Sequence, residues 1–287
     1  MSITIEIPVD LNVSLGILVA TPSKAELALV QRLESGRAAL PVLPAVAASA
    51  LQLANDPNAD IQRFSALVET DPPIAARFLG VANSAVYSRG RKVTSVLDAV
   101  MRIGLYSCRD LLFQAVYGAT LRGLRHYQKP VEESFRRSVI SAVVCRLVAS
   151  ELKSPFREAH LCGLLHDIGE SRIYRILSDL DLQLGQPEVQ DLVSRYHARA
   201  GAELALKWQL PKEIVEVCGK HHEPGASGEA LRLVRIADWA VPHICDLLVG
   251  QEPGDLSASL AATDGLELPL DRAQAIVEGG LLLARKV

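Results

Sequence analysis

Aromatic side chains are scarce in this chain: Phe, Trp and Tyr make up 5% of its 287 residues. Leu, Ala and Val dominate instead, and such a composition favours helices over the strands of a β-sandwich. Hydrophobic residues account for 49% of the chain and charged residues for 22%. The chain can therefore bury a sizeable core, which argues against intrinsic disorder. We predict an all-α fold.

Paired cysteines are also missing. No CxxC pair occurs, so neither a zinc-ribbon site nor a disulfide framework is indicated. Scattered cysteines are typical of reduced, buried thiols, and we predict a cytoplasmic protein. The five residues concerned are Cys108, Cys145, Cys162, Cys218 and Cys245.

Further absences narrow the class of protein. The first ten residues lack the basic segment of a signal peptide. The longest uncharged stretch, residues 38–55, contains Pro41 and Pro44 and is unsuited to crossing a membrane. The net charge is −3 and no block of Lys and Arg occurs, so we predict binding to neither nucleic acid nor membranes. The small basic loop 88–92 is interpreted as a solvated loop in preference to a phosphate site.

The chain divides into three predicted parts. Ile3, Ile5 and Ile7 alternate with polar residues, which predicts a short β-arm or hairpin within residues 1–22. Helical periodicity and capping signals then predict a helical N-lobe over 23–125. The polar, proline-closed segment 125–130 marks the boundary. A helical C-lobe is predicted over 130–287, beginning with a long helix.

Candidate ligand residues are concentrated in the second lobe, since six of the seven histidines lie from residue 160 onward. His166 and Asp167 are adjacent, and an imidazole with a carboxylate can donate to one divalent metal ion. Further ligands would have to come from His197, His221 and Asp238. Asp238 lies among apolar residues, where a carboxylate is costly unless it is paired or coordinated.

Simpler interpretations exist for the same residues. Asp238 could form an ion pair with Arg235 or Arg232, which lie at helical spacing from it. Most lone histidines on helices lie at the surface or have a partner in the core. We place the four remaining histidines in that class, namely His126, His160, His222 and His243.

The order of these motifs resembles the HDOD family, which is related to HD-type metal-dependent phosphohydrolases. In the first lobe, Asp71-Pro72 and Asn83-Ser84 carry the resemblance, and in the second, His166-Asp167 with Gly169 does so. The resemblance covers about residues 36–248 and implies a two-lobed helical bundle with an HD-like C-lobe. It also implies a bacterial signalling output module.

The N-lobe motif has a structural explanation. Asp71 and Pro72 suit a helix start, with the carboxylate as the cap and the proline in the first turn. Asn83 and Ser84 can satisfy backbone groups where that helix ends. We therefore favour a role in maintaining the fold over a direct role in binding.

One ligand position departs from the family pattern. The resemblance implies a histidine on the first long helix of the second lobe, where this chain has Arg137. A guanidinium stays protonated and cannot ligate a metal. We predict that Arg137 replaces the metal's charge by pairing with Asp167 or Asp238. A vestigial site with no cofactor follows, with bound Fe or Mn as the alternative.

Three functions remain open. The first is a signalling adaptor that works through protein contacts, as a monomer or a homodimer. The second is a metal-dependent phosphohydrolase of a nucleotide or cyclic dinucleotide, although Pro224 follows His221-His222-Glu223 where the resemblance would call for Gly-Tyr-Pro. The third is a receptor for a small phosphorylated ligand. Nucleotide-binding, zincin and α/β-hydrolase motifs are absent from the sequence.

Overall fold

In the computed structural model, the described residues are 22–35 and 60–285, without 89, 122, 123, 125, 183, 264 and 265, together with Ser49 and Leu53. The described part contains helices and no strand, so the predicted all-α class is confirmed. The β-arm predicted for residues 1–22 lies outside the described residues, apart from Pro22. Among the helices described, none has the length and apolar character needed to cross a bilayer.

The helices of the described residues fall into two groups along the chain. After α1 (Lys24–Glu34), the first group comprises α2 (Ile61–Glu69), α3 (Pro72–Ala82), α4 (Val96–Ile103) and α5 (Leu105–Thr120). The second group comprises α6 (Gln128–Glu151), α7 (Ala159–Leu165), α8 (Ile168–Asp179), α9 (Gln186–Lys207), α10 (Lys212–Lys220), α11 (Glu229–Leu248), α12 (Leu256–Ala262) and α13 (Leu270–Ala284).

Side-chain caps fix the starts of the first helices. Ser23 accepts a hydrogen bond from the Glu26 backbone N–H at 3.1 Å, and Asp60 accepts one from Gln62 at 2.8 Å. Asp71 caps α3 as the sequence predicts, with Pro72 at the first helical position. Each cap satisfies a backbone donor that has no partner within its helix.

The long helix α6 organises the second lobe. It packs against α7, α11 and α13, while α9 packs against α8 and α10. In the first lobe, α4 lies against α2, α3 and α5, and α5 also contacts α7 across the lobe boundary. One continuous hydrophobic core runs through both groups of helices. The helices that carry the candidate ligands are therefore anchored in this core.

The first helix, α1, lies against the second lobe. It packs on α8, and its Glu26 accepts hydrogen bonds from Arg195 and Tyr196 of α9, both at 2.6 Å. The interval 23–125, with the arm 1–22 and the C-lobe 130–287, remains a prediction of domain organisation. Within the interval 23–125, α1 packs against the second lobe, whereas helices α2 to α5 form the first lobe.

Candidate metal centre

Four segments of the second lobe bring the predicted ligands together. His166 ends α7 and Asp167 begins α8, while His197 lies in α9, His221 ends α10 and Asp238 lies in α11. Two groups of ligand atoms result, each within 4.8 Å of one another. The carboxylate group consists of His166, Asp167 and Asp238, and the histidine group consists of Asp167, His197, His221 and His222.

Asp167 belongs to both groups because its two oxygens face opposite ways. Its Oδ2 lies 3.2 Å from His166 Nε2. Its Oδ1 lies 3.1 Å from His221 Nε2 and 3.4 Å from His197 Nε2. The Oδ1 of Asp238 is 3.7 Å from His166 Nε2. Asp167 therefore has the position of a carboxylate that could bridge two cations.

The hydrogen bonds of the rings aim their Nε2 atoms at the centre. The Nδ1 atoms lie 2.9 to 3.0 Å from backbone carbonyl oxygens: His166 from Gly163, His197 from Val193, and His221 from Val217. A carbonyl only accepts, so Nδ1 must carry the proton in each ring. In the neutral rings the lone pair is then on Nε2. This is the arrangement of metal-ligating histidines, whose other nitrogen donates to a backbone or carboxylate oxygen.

Two observations indicate that this centre requires a positive charge. The Nε2 atoms of His197 and His221 face each other at 3.4 Å, and two lone pairs at that distance repel unless a proton or metal lies between them. The Nε2 of His166 is buried and has no partner with hydrogen-bond geometry. The residues present therefore fit a divalent cation.

The ionisation of the carboxylates agrees with this requirement. Burial raises the pKa of Asp167, but the positive charge of the nearby His166 outweighs burial and holds the pKa well below its usual value. Burial likewise raises the pKa of Asp238, but the attraction of His166, 3.7 Å away, outweighs burial, so the pKa of Asp238 is lowered. Burial lowers the pKa of His166, yet Asp167 raises that pKa well above its usual value. Without a metal, the carboxylates attract a proton to His166.

A close approach of two helices creates this geometry. A Cβ on Gly169, the second residue of α8, would overlap the carbonyl oxygen of His197 on α9 and lie 2.6 Å from the Gly201 backbone nitrogen. A side chain at this position would therefore separate Asp167 from His197. Gly169 is required for its small size, since its backbone has no positive φ.

Arg137 pairs with a different acid from the two predicted. Its Nη2 donates to Glu170 Oε2 at 2.9 Å, so the predicted pairing with Asp167 or Asp238 is wrong. Glu170 lies three residues after Asp167, one helical turn further along α8, and is 15% exposed. Arg137 and Asp167 nevertheless line the same cavity of about 530 Å³, together with Glu170, His197 and His222. Arg137 thus shares a cavity with three candidate ligands, Asp167, His197 and His222, while its ion pair is with Glu170.

Arg235 does not pair with Asp238 as the simpler interpretation supposed. Its guanidinium donates to the backbone carbonyls of Ala226 at 2.7 Å, His221 at 3.0 Å and Glu223 at 2.6 Å. It thereby fixes the loop after α10, which carries His221. Since Arg235 and Asp238 share α11, this residue also ties the loop to the helix of another ligand.

Sequence reasoning missed three residues of this region: His222, Glu170 and Arg235. The ring of His222 lies 4.0 Å from that of His221 by centroids, and burial lowers its pKa. Its adjacency to His221 was the available signal. The other three histidines have partners away from the centre, as expected: His126 with Asp181, His160 with Arg146, and His243 with Ser259.

A family model described as the HDOD domain matches residues 40–224 of this chain. Among curated proteins, an uncharacterized protein of Treponema pallidum is 23% identical over 213 residues, which cover 70% of this chain and 41% of that protein. Ribonuclease Y of Lawsonia intracellularis is 28% identical over 157 residues, which cover 55% of this chain and 25% of that enzyme. The chain thus spans between a quarter and two fifths of the length of these relatives.

Solved structures show the same fold. An HDOD domain protein of unknown function from Geobacter sulfurreducens matches with a TM-score of 0.64 and 23% identity, covering 91% of this chain and 96% of its own. A candidate signal-transduction protein from Marinobacter aquaeolei matches with a TM-score of 0.67 and 19% identity, covering 91% and 63%. A candidate metal-dependent phosphohydrolase from Shewanella amazonensis matches with a TM-score of 0.64 and 20% identity, covering 88% and 97%.

Proposed function

The chain belongs to the HDOD family, and we propose that it is a signal-transduction module of bacterial type that acts through contacts with a partner protein and not through catalysis. The observation that carries this proposal is the position of Arg137. It is paired with Glu170 and lines the same cavity as Asp167. A group that is always protonated therefore occupies the position where the family resemblance calls for a ligand.

The two groups of candidate ligands differ in how many ligand atoms the chain supplies to a metal ion. The histidine group offers four ligand atoms from the chain, whereas the carboxylate group offers three. A hydrolytic two-metal centre needs both positions filled, because the two ions share the charge on the attacking and leaving oxygens. We infer that the centre holds at most one ion, in the histidine group, and lacks a second.

A second candidate is a metal-dependent phosphohydrolase, favoured by the facing Nε2 atoms of His197 and His221. A bound ion would supply Lewis acidity and a water of lowered pKa. The chain's own residues would hold that ion through Asp167, His197 and His221, and Arg137 would orient an anionic substrate in the adjoining cavity. Glu170 would have to release Arg137 for this purpose.

A receptor for a small phosphorylated ligand is the weaker alternative. The cavity beside Arg137 is also lined by Glu133, Asp167 and Glu170. Three carboxylates against one guanidinium disfavour a free phosphate dianion. Such a ligand would need a bound cation to offset this charge.

The experiment that tests the proposal is elemental analysis of the purified protein, before and after reloading with iron and manganese, combined with an assay of bis(p-nitrophenyl) phosphate hydrolysis. We expect no more than one ion per chain and no hydrolysis. The variant Arg137→His should take up an additional ion. Arg136→His is the matched control, because Arg136 is an exposed neighbour on the same helix.

The opposite result has a clear meaning. Stoichiometric metal with hydrolysis that disappears in His197→Ala would overturn the non-catalytic proposal and establish the phosphohydrolase. The sequence leaves a homodimer open, and size-exclusion chromatography with light scattering tests it separately. A molar mass equal to that of one chain would exclude the homodimer.

A further inference from the structure

The segment after α3 in the first lobe is clamped by one side chain. Asn83 Nδ2 donates to the carbonyl of Val93 at 2.9 Å, and its Oδ1 accepts from the Val93 backbone N–H at 2.8 Å. The same Nδ2 donates to Leu79 at 2.9 Å at the end of α3. Asn83 and Val93, ten positions apart in the chain, are thus held together. The expected role of Asn83, to satisfy backbone groups at the helix end, includes holding this loop.

A pocket of about 390 Å³ lies between the clamped loop and α4. Its lining includes three cationic side chains, one hydroxyl and one carboxylate: Arg91, Lys92, Arg102, Thr94 and Asp98. Arg91 and Lys92 are exposed on the loop, whereas Arg102 is half-buried on α4. Three cations and one acid give this pocket a net positive lining, in a chain whose net charge is −3.

The carboxylate of the pocket, Asp98, forms a hydrogen bond with the cap of α4 and no ion pair with the three cations. Asp98 Oδ2 accepts a hydrogen bond from Ser95 Oγ at 2.7 Å, within the cap of α4. In the described part of the chain, no acid forms an ion pair with the three cations, and Arg102 donates to the backbone carbonyl of Ala82 at 3.2 Å.

Gathering like charges without a counter-ion raises the free energy of the folded state, and an anion in the pocket would lower it. The donor set is suited to several oxygens on one small group, because a guanidinium donates as a planar fork and an ammonium as a point charge. Val93, which follows Arg91 and Lys92 in the chain, is held by Asn83 before any ligand arrives, and this reduces the ordering needed on binding. These properties are typical of a built anion site.

We propose that this first-lobe pocket binds a phosphoryl group through Arg91, Lys92 and Arg102. The group is either part of a free phosphorylated small molecule or a phosphorylated side chain of a protein partner. The site is in a different lobe from the candidate metal centre and does not depend on the function proposed for that centre. This proposal gives a binding role to Arg91 and Lys92, which belong to the basic loop that the sequence analysis interprets as solvated.

The test is a titration of the ¹⁵N-labelled full chain with inorganic phosphate at constant ionic strength, followed by amide chemical shifts. Saturable shifts should be confined to residues 91–102. The double variant Arg91→Ala, Lys92→Ala should weaken phosphate binding at least about tenfold, the loss expected for charge-assisted hydrogen bonds. Both side chains are exposed, so the fold should be retained. Lys212→Ala, an exposed lysine of α10, is the control and should bind as the unmodified chain does.

Two further titrations distinguish the sources of the phosphoryl group. A phosphoserine peptide that binds more tightly than inorganic phosphate, while its unphosphorylated twin does not bind, would identify a protein partner. Equal affinity for the peptide and for phosphate would indicate a small molecule. Shifts that do not saturate, that acetate reproduces at equal ionic strength, or that appear only around the metal centre would overturn the proposal.

Discussion

Replacing Gly169 with alanine tests whether the close approach of α8 and α9 builds the candidate metal centre. The added Cβ would overlap the His197 carbonyl oxygen and lie 2.6 Å from the Gly201 nitrogen. Both neighbours are backbone atoms of one helix, so rotation of a side chain cannot relieve the overlap. The two helices must separate, and Asp167 must then move away from His197.

The expected cost follows from a comparison with two other helical glycines. Overpacking of a tight interior costs about 1–3 kcal/mol and sometimes more, and we expect Gly169→Ala to lose at least about 3 kcal/mol of unfolding free energy. At Gly201 the nearest atom to a new Cβ is 3.3 Å away, so the loss should be roughly 1 kcal/mol or less. At Gly80, in α3, nothing lies within 4 Å, and alanine should add about 0.5–1 kcal/mol of stability.

Urea unfolding monitored by far-ultraviolet circular dichroism gives the three free energies, and metal content after reloading gives the second readout. We expect the order Gly80→Ala, Gly201→Ala, Gly169→Ala in decreasing stability, with metal uptake lost in the last. A Gly169→Ala protein within about 0.5 kcal/mol of the unmodified chain would refute the reasoning. It would mean that α8 and α9 separate without cost and do not fix the site.

Three other predictions follow from single side chains. Arg235→Met should reduce metal affinity about 10- to 100-fold by releasing the loop after α10, while the exposed Arg232→Met should not; isothermal titration with Mn²⁺ distinguishes them. Asn83→Ala removes three hydrogen bonds and should lower the free energy of unfolding by about 1–3 kcal/mol in urea. Burial, then the charge of Arg146, lowers the pKa of His160 to about 3. The unfolded chain therefore binds this proton first, so stability is full above about pH 6.5 and falls by up to about 1.4 kcal/mol per pH unit towards pH 3. Unfolding free energies of His160→Gln should lack this part of the slope; an unchanged slope would show that His160 is not responsible.

Features set by neighbouring residues could be predicted from the sequence. The cap Asp71 lies three residues from the backbone group it binds, and it is found as expected. Ser95 caps α4 over the same short distance along the chain. Such interactions depend only on the local chain, so a residue pattern is enough to indicate them.

Features that depend on packing between distant segments could not be predicted. Glu26 meets Arg195 and Tyr196 across 169 and 170 residues of sequence, and no pattern indicates that α1 leaves its neighbours for the other lobe. The predicted ion-pair partner of Arg137 is wrong for the same reason. The sequence favours the acids already suspected as ligands, whereas the helical turn of α8 presents Glu170 to Arg137 first.

The position of Arg137 is compatible with a centre that keeps its candidate ligands and, as proposed, has no catalytic activity. Pairing with Glu170 leaves both oxygens of Asp167 free to face His166 on one side and His221 on the other. The geometry of the candidate ligands is compatible with this arrangement, and imidazole-rich coordination suits iron or zinc better than magnesium or calcium. Arg137 stands where the family resemblance calls for a histidine, so the chain offers one ligand fewer to a second divalent ion. A single cation in the histidine group would connect three helices of the second lobe, α8, α9 and α10, and under the proposed function its loss would loosen the surface that they present to a partner.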